Sequence, residues 1–315
     1  MTDIIISTSS FNLDDNPGIE RLRAAGLSIA TNPFGRKLTE AEISDLLADS
    51  VVGLLAGVEP LTAQVIAAAK GLAVISRCGV GLDNVDQATA SERGIRVLST
   101  PDAPVDAVVE MTLGLILGTL RQIPAADRQV REGGWPRLKG RLLKSKTVGI
   151  LGLGRIGTRV ARLCSAFGAH VIAYDPVASD TASEVERVDL QDVLAQSDIV
   201  TLHMPYSAAT HHVINSDSLA AMKPGAILIN TARGSLVDEA ALVTALQNGR
   251  LSGAGLDVFE AEPYSGPLQD LAQVVLTPHL ASSAIESRRE MECEAAENLY
   301  AGLLEAGVIK NGDAS

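Results

Sequence analysis

Six residues constrain this chain more than any other stretch. Gly152-Leu153-Gly154-Arg155-Ile156-Gly157 directly follows an apolar run, Thr147 to Leu151, and opens a stretch of helical spacing, Ile156 to Phe167. A new apolar run, His170 to Tyr174, then ends at Asp175, 23 positions after Gly152. A GxGxxG alone is a weak signal, but here its strand, helix and second strand are all in place. In that context the glycines admit a pyrophosphate to the positive end of a helix, and the acid accepts from ribose hydroxyls. Asp175 would repel a 2′-phosphate, so NAD is expected in preference to NADP. The competing reading is a tight strand–helix turn in which Asp175 serves as a capping acid.

The rest of the chain fits an α/β organisation. In the first 100 residues, Ile4 to Ile6, Leu27 to Ile29, Val51 to Leu55, Ala73 to Ser76 and Ile95 to Leu98 read as buried strands. Between them Ile19 to Ala25, Thr39 to Ala48 and Thr62 to Ala69 have helical spacing, and Thr39 with Glu42 forms a capping-box pattern. Strand–helix alternation implies a parallel sheet covered on both faces. A second unit opens at Thr147 and continues through strands at 170–174, 198–202, 226–230, 253–256 and 274–276. Between the units lie a hinge at Ser99 to Pro104, a helix over Val105 to Gln122 and a polar, Gly-containing arm. A final helix, Ile285 to Ala306, is expected to return to the first unit.

Composition narrows the class of partner. Of 315 residues, 46% are hydrophobic and only nine are aromatic, so the core is aliphatic and the chain globular. Thirty-eight acids against 26 bases leave a net charge of −12, which argues against a nucleic-acid or anionic-membrane surface. Cys78, Cys164 and Cys293 form no CxxC pair, so neither a zinc site nor a disulfide framework is expected. No secretory signal is visible, and the most apolar helical stretch, Met111 to Leu120, is about half of what a bilayer requires. The expectation is a cytoplasmic protein without a metal.

In open α/β sheets, ligands bind beyond the carboxyl ends of the strands. Four strand ends of the second unit carry polar residues there: His203-Met204-Pro205, Thr231-Ala232-Arg233-Gly234, Asp257 with Glu262, and Thr277-Pro278-His279. Singly each has a bland reading, as a satisfied loop histidine, a surface ion-pair arginine or a turn acid before Pro263. Together, beside one nucleotide fingerprint, they point to a site.

These stretches, with Met222-Lys223-Pro224-Gly225, Leu256-Asp257-Val258-Phe259 and Gly79-Val80-Gly81-Leu82-Asp83-Asn84-Val85-Asp86, resemble the D-isomer-specific 2-hydroxyacid dehydrogenase family, in its phosphoglycerate dehydrogenase-like branch. The resemblance covers almost the whole chain. It implies two doubly wound parallel-sheet domains with a cleft between them. Residues 1–100 with 286–315 would form a flavodoxin-like substrate domain. Residues 101–285 would form a Rossmann NAD-binding domain with a dimerisation arm at about 122–145. It implies Arg233, Glu262 and His279 as the catalytic set. His279 is the acid/base, Glu262 orients its ring, and Arg233 holds the substrate carboxylate and polarises the carbonyl. Cofactor contacts are implied at Gly152, Gly154, Arg155, Ile156, Gly157, Asp175, His203, Met204, Pro205, Thr231, Ala232 and Asp257, with Thr112 and Val80 as weaker candidates.

Backbone N–H groups at Val80-Gly81 are implied as a cradle for the substrate carboxylate, with Arg77 and Arg137 where the phosphoglycerate branch holds its distal phosphate. The basic residue that this branch places after the third strand is missing, because Leu55-Ala56-Gly57 occupies the turn. Ordinary ion pairing is the alternative for Arg77 and Arg137. The expected substrate is a small anionic 2-hydroxyacid or 2-oxoacid of the 3-phosphoglycerate, sulfolactate, or glyoxylate and hydroxypyruvate kind. The intact Arg233–Glu262–His279 set disfavours a formate-acting offshoot, in which the acid is replaced by an amide. No regulatory domain is expected after the catalytic portion. The reading from a different class is an NAD(H)-sensing corepressor-like protein on the same fold.

Overall fold

The computed structural model describes residues 2–47, 49–135, 137–177 and 185–310. Pro136, within the expected arm, and residues 311–315 lie outside them. The chain divides into two compact units, one of Met1–Pro104 with Ser283–Ser315 and one of Val105–Ser282.

The first unit is built on β1 (Ile4–Ile6), β2 (Ile29–Thr31), β3 (Gly53–Ala56), β4 (Val74–Arg77) and β5 (Arg96–Ser99). All pairs are parallel, in the order β2-β1-β3-β4-β5. These strands read as continuous apolar runs because both faces of the sheet are covered. Alternation decides which face each side chain serves. Ile4, Ile6, Leu55 and Val74 pack with α1 (Pro17–Ala24) and the C-terminal helix (Ile285–Glu305). Ile5, Leu54 and Ile75 pack with α2 (Glu40–Leu46), α3 (Ala63–Ala68) and the segment around α4 (Gln87–Glu92). The capping box is present: Thr39 accepts from the Glu42 N–H, and Glu42 accepts from the Thr39 N–H. The strand expected at Leu27 to Ile29 instead starts at Ile29. The Ser28 N–H and hydroxyl donate to the Asp3 carboxylate, so Ser28 is held by a side chain before the ladder begins.

The second unit opens with α5 (Val105–Arg121), a core helix with ten buried residues, and α6 (Ile123–Arg131). Gln122, in the left-handed region at φ 55°, separates the two helices. Helix α6 has no buried residue, and Ile123, Val130, Trp135 and Leu142 are exposed, Trp135 by 80%. The sheet comprises β6 (Thr147–Leu151), β7 (His170–Tyr174), β8 (Glu186–Arg187), β9 (Ile199–Leu202), β10 (Ala226–Asn230), β11 (Leu251–Leu256) and β12 (Val274–Leu276). Its order is β12-β11-β10-β9-β6-β7-β8, all parallel. Val148, Ile150, Ile227 and Ile229 face α5 and α7 (Arg155–Ala166). Leu151, Leu202, Leu228 and Leu256 face α8 (Leu190–Gln196), α9 (Ser216–Ala221) and α10 (Glu239–Gln247).

The two strand orders are the flavodoxin-like and dinucleotide-binding arrangements, so both doubly wound sheets stand as expected. Among the described residues no helix is long and apolar enough to cross a membrane. All three cysteines are free, and burial pushes the Cys78 thiol up to about 11 and that of Cys164 up to about 12.

Candidate active site

Strand order reverses between β6 and β9, and at such a switch point the carboxyl ends leave a crevice. The glycine turn lies there. Gly152 has φ 102°, and a Cβ on it would stand 2.7 Å from the His203 carbonyl carbon. A Cβ on Gly157 would fall 1.9 Å from the Gly152 carbonyl oxygen, so only glycine lets α7 approach the strand this closely. Gly154 caps α7, and a Cβ there would meet nothing within 4 Å. Two glycines thus close the turn, and the third keeps open the backbone at the helix's positive end, which fits a pyrophosphate. Arg155 and Ile156 begin the helix, Arg155 being exposed.

The Asp175 carboxylate accepts from the Leu153 N–H at 2.7 Å and the Val177 N–H at 2.8 Å. It therefore ties the end of β7 to the glycine turn. His203 follows β9; its N–H donates to Leu151, and its Nε2 lies 3.0 Å from the Thr201 hydroxyl. Burial pushes the imidazole down to about 3, so the ring is neutral at physiological pH. Met204 is buried and Pro205 exposed beside it.

A second cluster is assembled from the ends of β10, β11 and β12. The Asn230 amide, 1% exposed, donates to the Arg233 carbonyl and accepts from the Ala232 N–H. That clamp shapes the Thr231–Gly234 turn. A Cβ on Gly234 would stand 1.9 Å from the Phe259 carbonyl carbon, so the turn lies directly against the segment that carries Glu262. Thr112 donates to the Val108 carbonyl, and its oxygen lies 2.9 Å from the Thr231 hydroxyl, which fixes that end of the turn to α5. Glu262 accepts from the Phe259 N–H at 3.1 Å with one oxygen and meets His279 Nδ1 at 2.8 Å with the other.

His279 itself sits at φ 54°, a region costing a non-glycine residue about 1–3 kcal/mol. Asp257 supplies the compensation. Its carboxylate is fully buried and accepts from the Leu280 N–H, the Ala281 N–H and the Thr277 hydroxyl, while its carbonyl accepts from the His279 N–H. Four hydrogen bonds at about 1 kcal/mol each are enough to hold the strained residue. His279 and Glu262 keep side-chain exposures of 42% and 36%, so a bound acid could reach the pair.

Of the sequence candidates, Arg233, Glu262, His279, Asp257, Thr231 and Ala232 thus stand on one connected set of turns. Gly152, Gly154, Arg155, Ile156, Gly157, Asp175, His203, Met204 and Pro205 gather around the switch point. Arg137 is exposed on the extended segment after α6. Arg77, Val80 and Gly81 lie beyond the carboxyl end of β4 in the first unit. There the Arg77 guanidinium folds over Gly79, where an added Cβ would lie 1.4 Å from Nη1. Val80 is exposed, and Gly79 is pinned by hydrogen bonds in both directions with Thr100.

Sequence reasoning missed two supporting residues, Asn230 and Glu239. Glu239 accepts from the Glu260 N–H at 2.8 Å. Burial, joined by the nearby Glu260 and Glu262 carboxylates and opposed by that hydrogen bond, raises its pKa from the usual glutamate value. The Asn-Thr-Ala-Arg-Gly run held the signal for Asn230; nothing local marked Glu239. Among the described residues no group of His, Cys, Asp and Glu could hold a metal ion.

The profile of the NAD binding domain of D-isomer specific 2-hydroxyacid dehydrogenases matches residues 113–281. Hydroxypyruvate reductase of Thermotoga maritima is 40% identical over 269 residues, covering 84% of this chain and 88% of its own. D-3-phosphoglycerate dehydrogenase of Mycobacterium tuberculosis is 45% identical over 247 residues, 76% of this chain but 47% of its own, so the chain spans about half the length of that relative. The crystal structure of the TT0316 protein from Thermus thermophilus superposes with a TM-score of 0.87 at 37% identity, covering 96% of this chain and 97% of the other.

Proposed function

The chain belongs to the D-isomer specific 2-hydroxyacid dehydrogenase family, and from that premise we propose that it interconverts a small 2-hydroxyacid and its 2-oxoacid with NAD. The observation that carries the reading is the contact between His279 Nδ1 and Glu262, beside the Arg233 turn at the carboxyl ends of a dinucleotide-binding sheet. NADH, when bound, supplies the hydride that reduces the C2 carbonyl. The glycine turn and the start of α7 would hold its pyrophosphate, Asp175 its adenosine ribose, and the 203–205 and 231–232 segments its flanks.

His279 exchanges the proton of the C2 oxygen, as acid in reduction and base in oxidation. Glu262 keeps the ring turned so that Nε2 is the exchanging atom. Arg233 pairs with the substrate carboxylate and polarises the carbonyl through its fork of donors. Arg77, Arg137 and the backbone at Val80 and Gly81 are assigned to the remainder of the substrate. The substrates named for relatives, hydroxypyruvate and phosphoglycerate, fall within this class.

The test is NADH oxidation by the purified chain against glyoxylate, pyruvate, hydroxypyruvate, 3-phosphohydroxypyruvate and 3-sulfopyruvate. Turnover of at least one acid is expected. Silence across the panel with intact NADH binding would contradict the reading and favour a nucleotide sensor. Replacing Asp175 with alanine is expected to lower the NADH-over-NADPH preference in kcat/KM by about tenfold or more, because the repulsion of a 2′-phosphate is lost. An unchanged ratio would remove Asp175 from the ribose site.

The working assembly is a homodimer formed through α6 and the following arm. The exposed apolar side chains of α6 and the segment after it, Ile123, Val130, Trp135 and Leu142, support this reading, since such residues gain by being covered. Light scattering is expected to give twice the chain mass, with Trp135→Glu shifting it toward the monomer; a monomeric wild type would contradict this. The three free thiols fit the reducing cytoplasm as the compartment.

A further inference from the structure

Two acids of one short segment are each met by a histidine whose backbone is in the left-handed region. Glu262 meets His279, at φ 54°, and Glu260 meets Nε2 of His212, at φ 49°. His212 lies between β9 and α9, on a loop that runs beside the residues following Arg233. Its N–H donates to the Ser235 carbonyl at 3.0 Å. The Ile214 N–H donates to the Leu236 carbonyl at 3.0 Å, and the Asp238 N–H donates back to the Ile214 carbonyl at 2.8 Å. The His212 carbonyl accepts from the Asn215 amide at 3.1 Å, and its ring stacks on His211 with centroids 3.9 Å apart. Glu260 is held at its backbone too. Its N–H donates to Glu239 at 2.8 Å, and a Cβ on Gly234 would stand 2.4 Å from its nitrogen.

A non-glycine residue persists in the left-handed region only where its surroundings hold it, and such positions gather at functional sites. The contact itself adds little to stability, because the two side chains are 32% and 38% exposed. What sets it apart is the pair of segments it joins. The backbone of His212 is fastened to the turn that carries Arg233, and its ring to the segment that carries Glu262. From this bridge we infer that His212 and Glu260 are positioning residues, which hold the Glu262 segment against the Arg233 turn so that Glu262 meets His279 Nδ1. They act through Glu262 and not on the substrate. The bridge requires a donor facing an acceptor and no particular charge, so an amide at position 260 can stand in for the carboxyl group. This inference rests on the dehydrogenase reading.

The deciding experiment measures kcat, KM for an accepted 2-oxoacid and NADH affinity in Glu260→Ala, Glu260→Gln and His212→Asn. Asparagine tolerates the left-handed backbone but cannot reach as far as Nε2. Glu260→Ala and His212→Asn are each expected to lower kcat by about tenfold or more, with KM and NADH affinity within about threefold. Displacing a catalytic group by about 1 Å can cost about 10²-fold. Glu260→Gln is expected to stay within about threefold of the wild type. In a Glu262→Ala background no carboxyl group is left to position, so adding Glu260→Ala should cost no more than about twofold. A merely structural pair would impose its full loss on that background as well, which overturns the inference. Unchanged kcat in either severed variant overturns it, and so does a Glu260→Gln as slow as Glu260→Ala. Should Glu260→Ala fail to fold, His212→Asn carries both measurements, alone and with Glu262→Ala. A wild type that turns over no 2-oxoacid removes the dehydrogenase reading and this inference together, whereas an active wild type with unaffected variants overturns the inference alone.

Discussion

Replacement of His279 by alanine is expected to lower kcat by about 10²–10⁴ while NADH still binds, because a positioned acid or base contributes on that order. The structure gives the residue a costly and specific setting. Its backbone is in the left-handed region, four hydrogen bonds from Asp257 and its neighbours hold it there, and Nδ1 is engaged by Glu262. Nε2 is left as the ring atom that Glu262 does not engage. Titration of NADH by fluorescence separates the two effects: affinity within a few-fold of wild type, turnover nearly lost. Glu262→Gln should fall between wild type and His279→Ala, since the amide can still accept from Nδ1 but brings no charge. Undiminished turnover in His279→Ala would take the proton-transfer role away from this ring.

Removal of the Arg233 guanidinium is expected to cut kcat/KM by about 10²–10³, the usual consequence of losing one charged donor aimed at a developing oxyanion. Both KM and kcat should suffer, because in the proposed role the same group would hold the carboxylate and polarise the carbonyl. The Asn230 clamp and the close contact of Gly234 with Phe259 fix the turn that carries it, and one Nη1 donates to the Ala232 carbonyl at 2.7 Å. Arg233→Lys restores the charge but not the planar fork, so it should recover only a small part of the loss. An Arg233→Ala variant with unchanged KM would place the substrate carboxylate elsewhere.

Most strands are legible in the sequence because both faces of each sheet are buried, which writes them as short unbroken apolar runs. Edge strand β8 is not, since Glu186 and Arg187 are exposed and carry no such run. Helix α6 reads as an irregular arm because its apolar residues face outward and Gln122 breaks the phase after α5. The glycine turn and the Arg233, Glu262 and His279 positions stand out through spacing within single strand–loop segments. Asp257 reads as a cofactor contact, whereas the structure also shows it gripping the loop of His279, a contact across 20 or more residues. The buried acid Glu59 is invisible for the same reason, as its partner Ser7 lies 52 positions away. Motif reading finds groups whose partners are local; buried polar residues satisfied across the sheet need the fold.

Reduction of C2 of a 2-oxoacid at the proposed Arg233–Glu262–His279 site can be followed atom by atom. The most direct measurement is incubation of the chain with NADH carrying deuterium at both C4 positions of the nicotinamide, and an accepted 2-oxoacid, followed by proton NMR of the product. The expected product is a 2-hydroxyacid of single configuration with deuterium at C2, and His279→Ala is expected to lose that transfer. A product without deuterium at C2, or equal transfer by His279→Ala, would contradict the proposed reduction.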